Sequence, residues 1–121
     1  MLENAKINYI ELPAHDLKMV KDFFSAVFAW EFTDYGPEYT AFYATESGLD
    51  GGFYQSNQSS KTENGAALVV FYAQDLKDIM TQIIQAGGAV CKDIFEFPGG
   101  RRFHFTDPCG NEYAVWSDQN I

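Results

Sequence analysis

Residues 7–28 read INYIELPAHDLKMVKDFFSAVF, and a change of period inside this stretch decides the fold class. Up to Leu12 the side chains alternate, with Ile10 and Leu12 on one face and Tyr9 and Glu11 on the other, which is the period of a strand. Pro13 is expected to close it. From Asp16 the period changes: Leu17, Val20, Phe23, Phe24, Val27 and Phe28 recur at steps of three and four, the stripe of an amphipathic helix. Asp16 stands where its side chain can accept from the first free amides.

The pattern starts again after a polar connection at 55–65 that has no apolar periodicity. Residues 67–84 read ALVVFYAQDLKDIMTQII, an apolar strand followed by a second helix that Asp75 caps and Gly87-Gly88 ends. Both helices open with Asp-Leu-Lys, and the offset of about 59 residues carries Tyr9 onto Leu68, so the chain reads as a tandem duplication. Short apolar runs at 31–34, 39–45 and 49–54 supply three strands after the first helix. Three more follow the second, at 89–97, 102–106 and 112–117, the last two joined by the turn Asp107-Pro108-Cys109-Gly110-Asn111. The expected fold is α+β, one domain over 1–121 made of two tandem βαβββ modules at about 5–56 and about 65–118. A helix covers only one face of each sheet, so the uncovered faces should line a groove in a curled mixed sheet, and function is expected there.

Composition narrows the partners. At 121 residues, 46% hydrophobic and 17% aromatic, the chain has material for one core and for a lined pocket. Its formal net charge is -9, and Arg101-Arg102 is its one adjacent basic pair, so no stripe exists to follow a phosphate backbone and nucleic acid is not an expected partner. No apolar run reaches the roughly 20 residues of a membrane helix, and the N-terminus lacks a basic and then apolar leader, so no membrane partner and a cytoplasmic location are expected. Cys91 and Cys109 lack metal-knuckle spacing and are expected to be reduced thiols. The Gly-Gly pairs beginning at 51, 87 and 99 lack the spacing of a phosphate-binding loop.

Several of these features together resemble the vicinal oxygen chelate superfamily of glyoxalase I, bleomycin resistance proteins and extradiol dioxygenases. They are the first strand running into Asp16-Leu17, the helix with Phe23-Phe24, and the Asp-Pro-x-Gly-Asn turn at 107–111 before a last strand. The resemblance covers nearly the whole chain. It implies a homodimer, and in metal-dependent members a divalent cation held by His, Glu or Gln on the first and last strands of each module. Those positions fall on Tyr9, Leu68, Ala114 and near Gly52 or Phe53, none of them a usual ligand, so no metal cofactor is expected.

If 106 faces 112 across the last turn, then 104 faces 114 and 102 faces 116, and His104 shares the groove face with Glu112, Ala114 and Trp116. The expected ligand-binding residues are Tyr9, Glu11, Leu68, His104, Glu112, Ala114 and Trp116, with Phe42, Phe53 and Tyr72 as further aromatics near the groove. His104 and Glu11 are the candidates for moving protons. Their alternatives are structural: a hydrogen-bonded histidine, and a glutamate that is solvated or paired with Arg102. The functional expectation is a protein that binds a small molecule in an aromatic groove without a metal. The acidic chain suggests a neutral or cationic ligand. The alternative is one divalent ion held by Glu11, His104 and Glu112, serving a lyase, isomerase or dioxygenase.

Overall fold

The computed structural model describes residues 4–43 and 48–119. The first module runs β1 (Tyr9–Ala14), α1 (Leu17–Phe28), β2 (Phe32–Asp34), β3 (Tyr39–Phe42) and β4 (Asp50–Gln55); the second runs β5 (Val69–Tyr72), α2 (Leu76–Gln85), β6 (Ala89–Phe97), β7 (Gly100–Thr106) and β8 (Glu112–Ser117). Each module forms its own four-stranded mixed sheet, ordered β1-β4-β3-β2 and β5-β8-β7-β6. The first strand of each lies parallel to the last, so the duplication read from the Asp-Leu-Lys repeat is also a duplication of topology.

The caps form as their sequences dictate: Asp16 accepts from the Met19 amide at 3.2 Å and Asp75 from the Asp78 amide at 3.0 Å. Two details differ from expectation. Pro13 does not close the first strand; it stays in the ladder opposite Tyr54, which an edge strand tolerates because one side of it needs no amide. The 55–65 connection also contains a 3-10 turn at Thr62–Asn64. The expected continuation of β3 to Thr45 lies outside the described residues, as do the first three residues of the chain.

The core lies between α1 and both sheets. Phe24 is fully buried and stacks on Trp30 with ring centroids 4.6 Å apart, and it meets Phe53 of the first sheet at 5.6 Å and Tyr113 of the second at 5.4 Å. Phe28 stacks on Phe71 at 4.3 Å. The helix of module one thereby glues the modules together, which explains its run of aromatics. Phe53 is corrected by this packing: it lies on the helix-facing side of its strand and is buried in the core, as is Phe42, which nevertheless also lines a cavity; the opposite face of module one is formed by Tyr9, Glu11, Tyr39 and Gly52.

The Asp107–Asn111 turn is a second link. Its buried Asn111 donates from Nδ2 to the Pro13 carbonyl at 2.7 Å and accepts at Oδ1 from the Ser60 amide at 2.8 Å, tying β1 and the connection to the last hairpin. Asp107 organises the turn by accepting from the amides of Cys109 and Asn111, from Asn111 Nδ2, and from the Tyr113 hydroxyl at 2.6 Å. Both cysteines are free thiols, Cys91 exposed and Cys109 buried. Among the described residues no helix is long and apolar enough to cross a membrane.

Candidate functional site

The last hairpin pairs Thr106 with Glu112, His104 with Ala114 and Arg102 with Trp116, the register expected from the sequence. Phe103, Phe105, Tyr113 and Val115 therefore face the core, and His104, Glu112, Ala114 and Trp116 share the opposite face. His104 is only 6% exposed, and its Nδ1 lies 2.8 Å from Glu112 Oε2. The other oxygen of Glu112 accepts from the Thr62 amide at 2.9 Å and the Thr62 hydroxyl at 2.8 Å. Burial alone would raise the Glu112 carboxyl, but the hydrogen bonds from His104 and Thr62 outweigh it and hold the group below its ordinary range. An ionised Glu112 can only accept, so Nδ1 carries the proton and Glu112 fixes the ring's orientation.

The other side of the ring is open in a chemical sense. His104 Nε2 and Arg102 Nε are both buried without a hydrogen-bond partner. The Arg102 guanidinium carbon lies over the rings of Phe95 at 5.3 Å and Phe97 at 5.7 Å, and Lys92 Nζ lies over Phe95 at 4.4 Å. Trp116 continues the aromatic surface, in edge contact with Phe97 at 6.1 Å and Tyr72 at 5.0 Å. Irregular pairing of β6 between Val90 and Phe95 sets Lys92 opposite His104 and Phe95 opposite Arg102.

The uncovered face of module one is built on phenols. Tyr39 donates to Glu11 Oε2 at 3.0 Å, and since its one proton is committed there, Tyr9 donates to the Tyr39 oxygen at 2.5 Å. Desolvation first, and then the neighbouring Tyr9 and Glu11, push the Tyr39 hydroxyl well above the ordinary phenol range, so it stays protonated. Gly52 stands opposite Glu11 on β4, and a Cβ there would fall 2.1 Å from the Tyr39 hydroxyl oxygen. Tyr39 thus fills the space into which a side chain at position 52 would project.

Tyr9 and Leu68 line an apolar cavity of about 640 Å³ between the free edges of β1 and β5, together with Trp30, Val70, Phe71 and Tyr72. Glu11 borders a separate polar hollow of about 500 Å³ with Tyr54 and Ser59, and Glu112 borders a third of about 260 Å³ with Lys61 and Lys92. The structure thus brings His104, Glu112, Ala114 and Trp116 onto one face and leaves Glu11 bonded to Tyr39 in the other module. Arg102 does not pair with Glu11, and among the described residues no carboxylate stands within ion-pair distance of it.

A divalent cation is not matched by these side chains. Of the four positions implied by the resemblance, Leu68, Gly52 and Ala114 bring no donor atom, and Tyr9 brings a phenol engaged with Tyr39. Among the described residues no three His, Cys, Asp or Glu side chains come together to hold an ion, so Glu11, His104 and Glu112 are not gathered within one chain. Glu112 meets the ring at Nδ1, on the side away from the free Nε2, which suits an orienting group rather than a second ligand beside it. Sequence reasoning missed Tyr39 and Thr62 and gave Arg102 only a structural part. Alternation along β3 from Ala41 could have flagged Tyr39; nothing in the sequence signals Thr62, which lies 50 residues from the carboxylate it binds.

The family model described as Glyoxalase/Bleomycin resistance protein/Dioxygenase superfamily matches residues 6–115. No curated protein sequence matches the chain. Among solved structures, a glyoxalase/bleomycin resistance protein/dioxygenase family enzyme from Burkholderia phytofirmans PsJN superposes with a TM-score of 0.75 at 15% identity, covering 93% of this chain and 98% of that one. A genomically encoded fosfomycin resistance protein from Listeria monocytogenes gives 0.73 at 18% identity, with 97% and 94% covered. A lactoylglutathione lyase from Agrobacterium tumefaciens gives 0.68 at 21% identity, with 95% of each chain covered. At these identities the likeness is one of fold.

Proposed function

The chain belongs to the glyoxalase/bleomycin resistance protein/dioxygenase superfamily, and from that premise we propose that it binds a small organic molecule in an aromatic cavity at the edges of its two sheets, without the metal centre of its metal-dependent relatives. The observation that carries this reading is the cavity of about 640 Å³ between β1 and β5, lined by Tyr9, Leu68, Phe71 and Tyr72. Its volume is in the range that encloses a drug-sized molecule, and its lining is apolar with a phenol at the rim. The proposal includes a homodimer in the cytoplasm. In support, β1 and β5 are both edge strands, and Ile7, Tyr9, Val70 and Tyr72 are large side chains left exposed along them.

A second reading, a metal-dependent lyase, isomerase or dioxygenase, is favoured by one observation. His104 has a free Nε2 and an Nδ1 held by a carboxylate, the way histidines that bind metals are commonly oriented. Glu11 and Glu112 would be its further ligands, and both would have to leave their present partners.

Metal content of the untagged protein, purified without chelators, separates the readings. The first expects less than about a tenth of an equivalent of any transition metal, since a catalytic site keeps about three protein ligands. Near-equimolar metal that is lost in His104→Ala would overturn it. Ligand binding is checked by a screen of aromatic fragments, with Val70→Lys, which carries a charge to the cavity wall, expected to abolish the hits.

A further inference from the structure

We propose that the module-two face is a receptor for the carboxylate of a small aromatic acid, gripped by Arg102 with its ring against Phe95, Phe97 and Trp116. This rests on the small-molecule reading and names the ligand class, and it reverses the neutral or cationic preference that net charge alone suggests.

Among the described residues Arg102 has no acid partner. In a chain with 17 acidic and eight basic side chains, a guanidinium meets a carboxylate easily, and Lys18 and Lys21 do so with Asp22 and Asp34. Arg102 instead lies among Phe95, Phe97 and Trp116, and its Nε is buried without a partner. Arg102 as a whole is half-buried, but a buried donor such as its Nε is costly to leave unpaired, and an acceptor there would relieve that cost. His104 Nε2, two residues along the same face, is orphaned in the same way. Lys92, opposite His104 on β6, adds a second positive group. Two carboxylates on or next to β8 are already engaged, Glu112 by His104 and Thr62, and Asp118 by the Tyr72 hydroxyl. The planar fork of the guanidinium matches the two oxygens of a carboxylate better than an ammonium would. Neither nitrogen is open to solvent, and the half-buried Phe95 ring lies beside both, 5.9 Å from the imidazole. The ligand enters as that ring swings aside and takes its place against the acid's own ring.

The test is an NMR titration of the full-length ¹⁵N-labelled protein with benzoate and with benzamide, its uncharged isostere. Benzoate is expected to shift amides of β6, β7 and β8 with a dissociation constant at least about tenfold below that of benzamide, as charge-assisted hydrogen bonds imply. Arg102→Gln should remove the preference, and Arg102→Lys, which keeps the charge but loses the fork, should retain part of it. Equal affinity for the two probes, or a preference that survives Arg102→Gln, overturns the carboxylate receptor and leaves small-molecule binding standing. If neither probe moves a resonance, the receptor is likewise overturned. If neutral aromatic fragments also leave the residues of the β1–β5 cavity unmoved, the small-molecule reading falls with it.

Discussion

Glu112 and Gly52 show how single positions set the two uncovered faces. Glu112 is held below its ordinary range in the folded protein, so its stabilising contribution is present above its unfolded value, about 4.3, and is lost as pH falls through the folded value. Glu112→Gln should therefore cost about 1–3 kcal/mol at pH 7, through the lost charge-assisted bonds to His104 and Thr62. That gap should narrow at pH 3.5, as read by denaturant unfolding at the two pH values; an equal gap at both would refute the account. At Gly52 the constraint is space. Gly52→Ala would set a methyl 2.1 Å from the Tyr39 hydroxyl oxygen and 2.9 Å from the Thr40 carbonyl, so a loss of about 1–3 kcal/mol is expected. The penalty should shrink, though not vanish, in a Tyr39→Ala background, where only the backbone clash remains; strict additivity in the double-mutant cycle would count against it. The glycine is visible in the sequence, but the ring that makes it necessary lies 13 residues upstream on another strand.

At the scale of elements, the turn from Asp107 to Asn111 does more than reverse the chain. Asp107 is 3% exposed, and burial pushes its carboxyl up despite the four donors aimed at it. A raised folded value means that the stability it confers is present below its unfolded value, about 3.9, and is lost as pH rises through the folded value, opposite in sign to Glu112. Asp107→Asn replaces an acceptor by a donor facing other donors and should cost about 2–3 kcal/mol at pH 7. The wild-type advantage over this variant should be larger near pH 3.5 than at pH 7, the reverse of the Glu112→Gln trend. Unfolding both variants side by side checks both signs, and parallel trends would refute the assignment. The turn residues were legible in the sequence as turn-formers. Their second task, bonding Pro13 and Ser60, depends on chain segments 98 and 51 residues away and could not be read there.

For the molecule as a whole, the decisive element is α1, whose Phe24 touches rings of both sheets. Phe24→Ala removes the shared ring and should cost about 3–5 kcal/mol. Because each module relies on the same helix, the wild type should unfold in one transition, with calorimetric and van't Hoff enthalpies that agree. Two resolved transitions in the wild type would show that the modules hold their cores independently. The stripe Val20, Phe23, Phe24, Val27 predicts a buried helix face, but which sheet it faces is fixed by the docking of the second module.

Local patterns are complete in the sequence because they depend on neighbours: the alternation at 9–12, the three- and four-residue stripe from Leu17 and the Asp caps; the register of the last hairpin was open to a slip of one residue, and the structure fixed it. The repeated Asp-Leu-Lys adds the duplication, and with it the family. What only the tertiary structure decided is which distant groups meet. Tyr39 reaches Glu11, Thr62 reaches Glu112, and Arg102 lies among rings, with no ion pair to an acid among the described residues. Sequence periodicity assigns a side chain to a face of its strand, but a hydrogen bond or an ion pair requires two atoms within about 3–4 Å. That distance is fixed only when separate sheets pack around one helix.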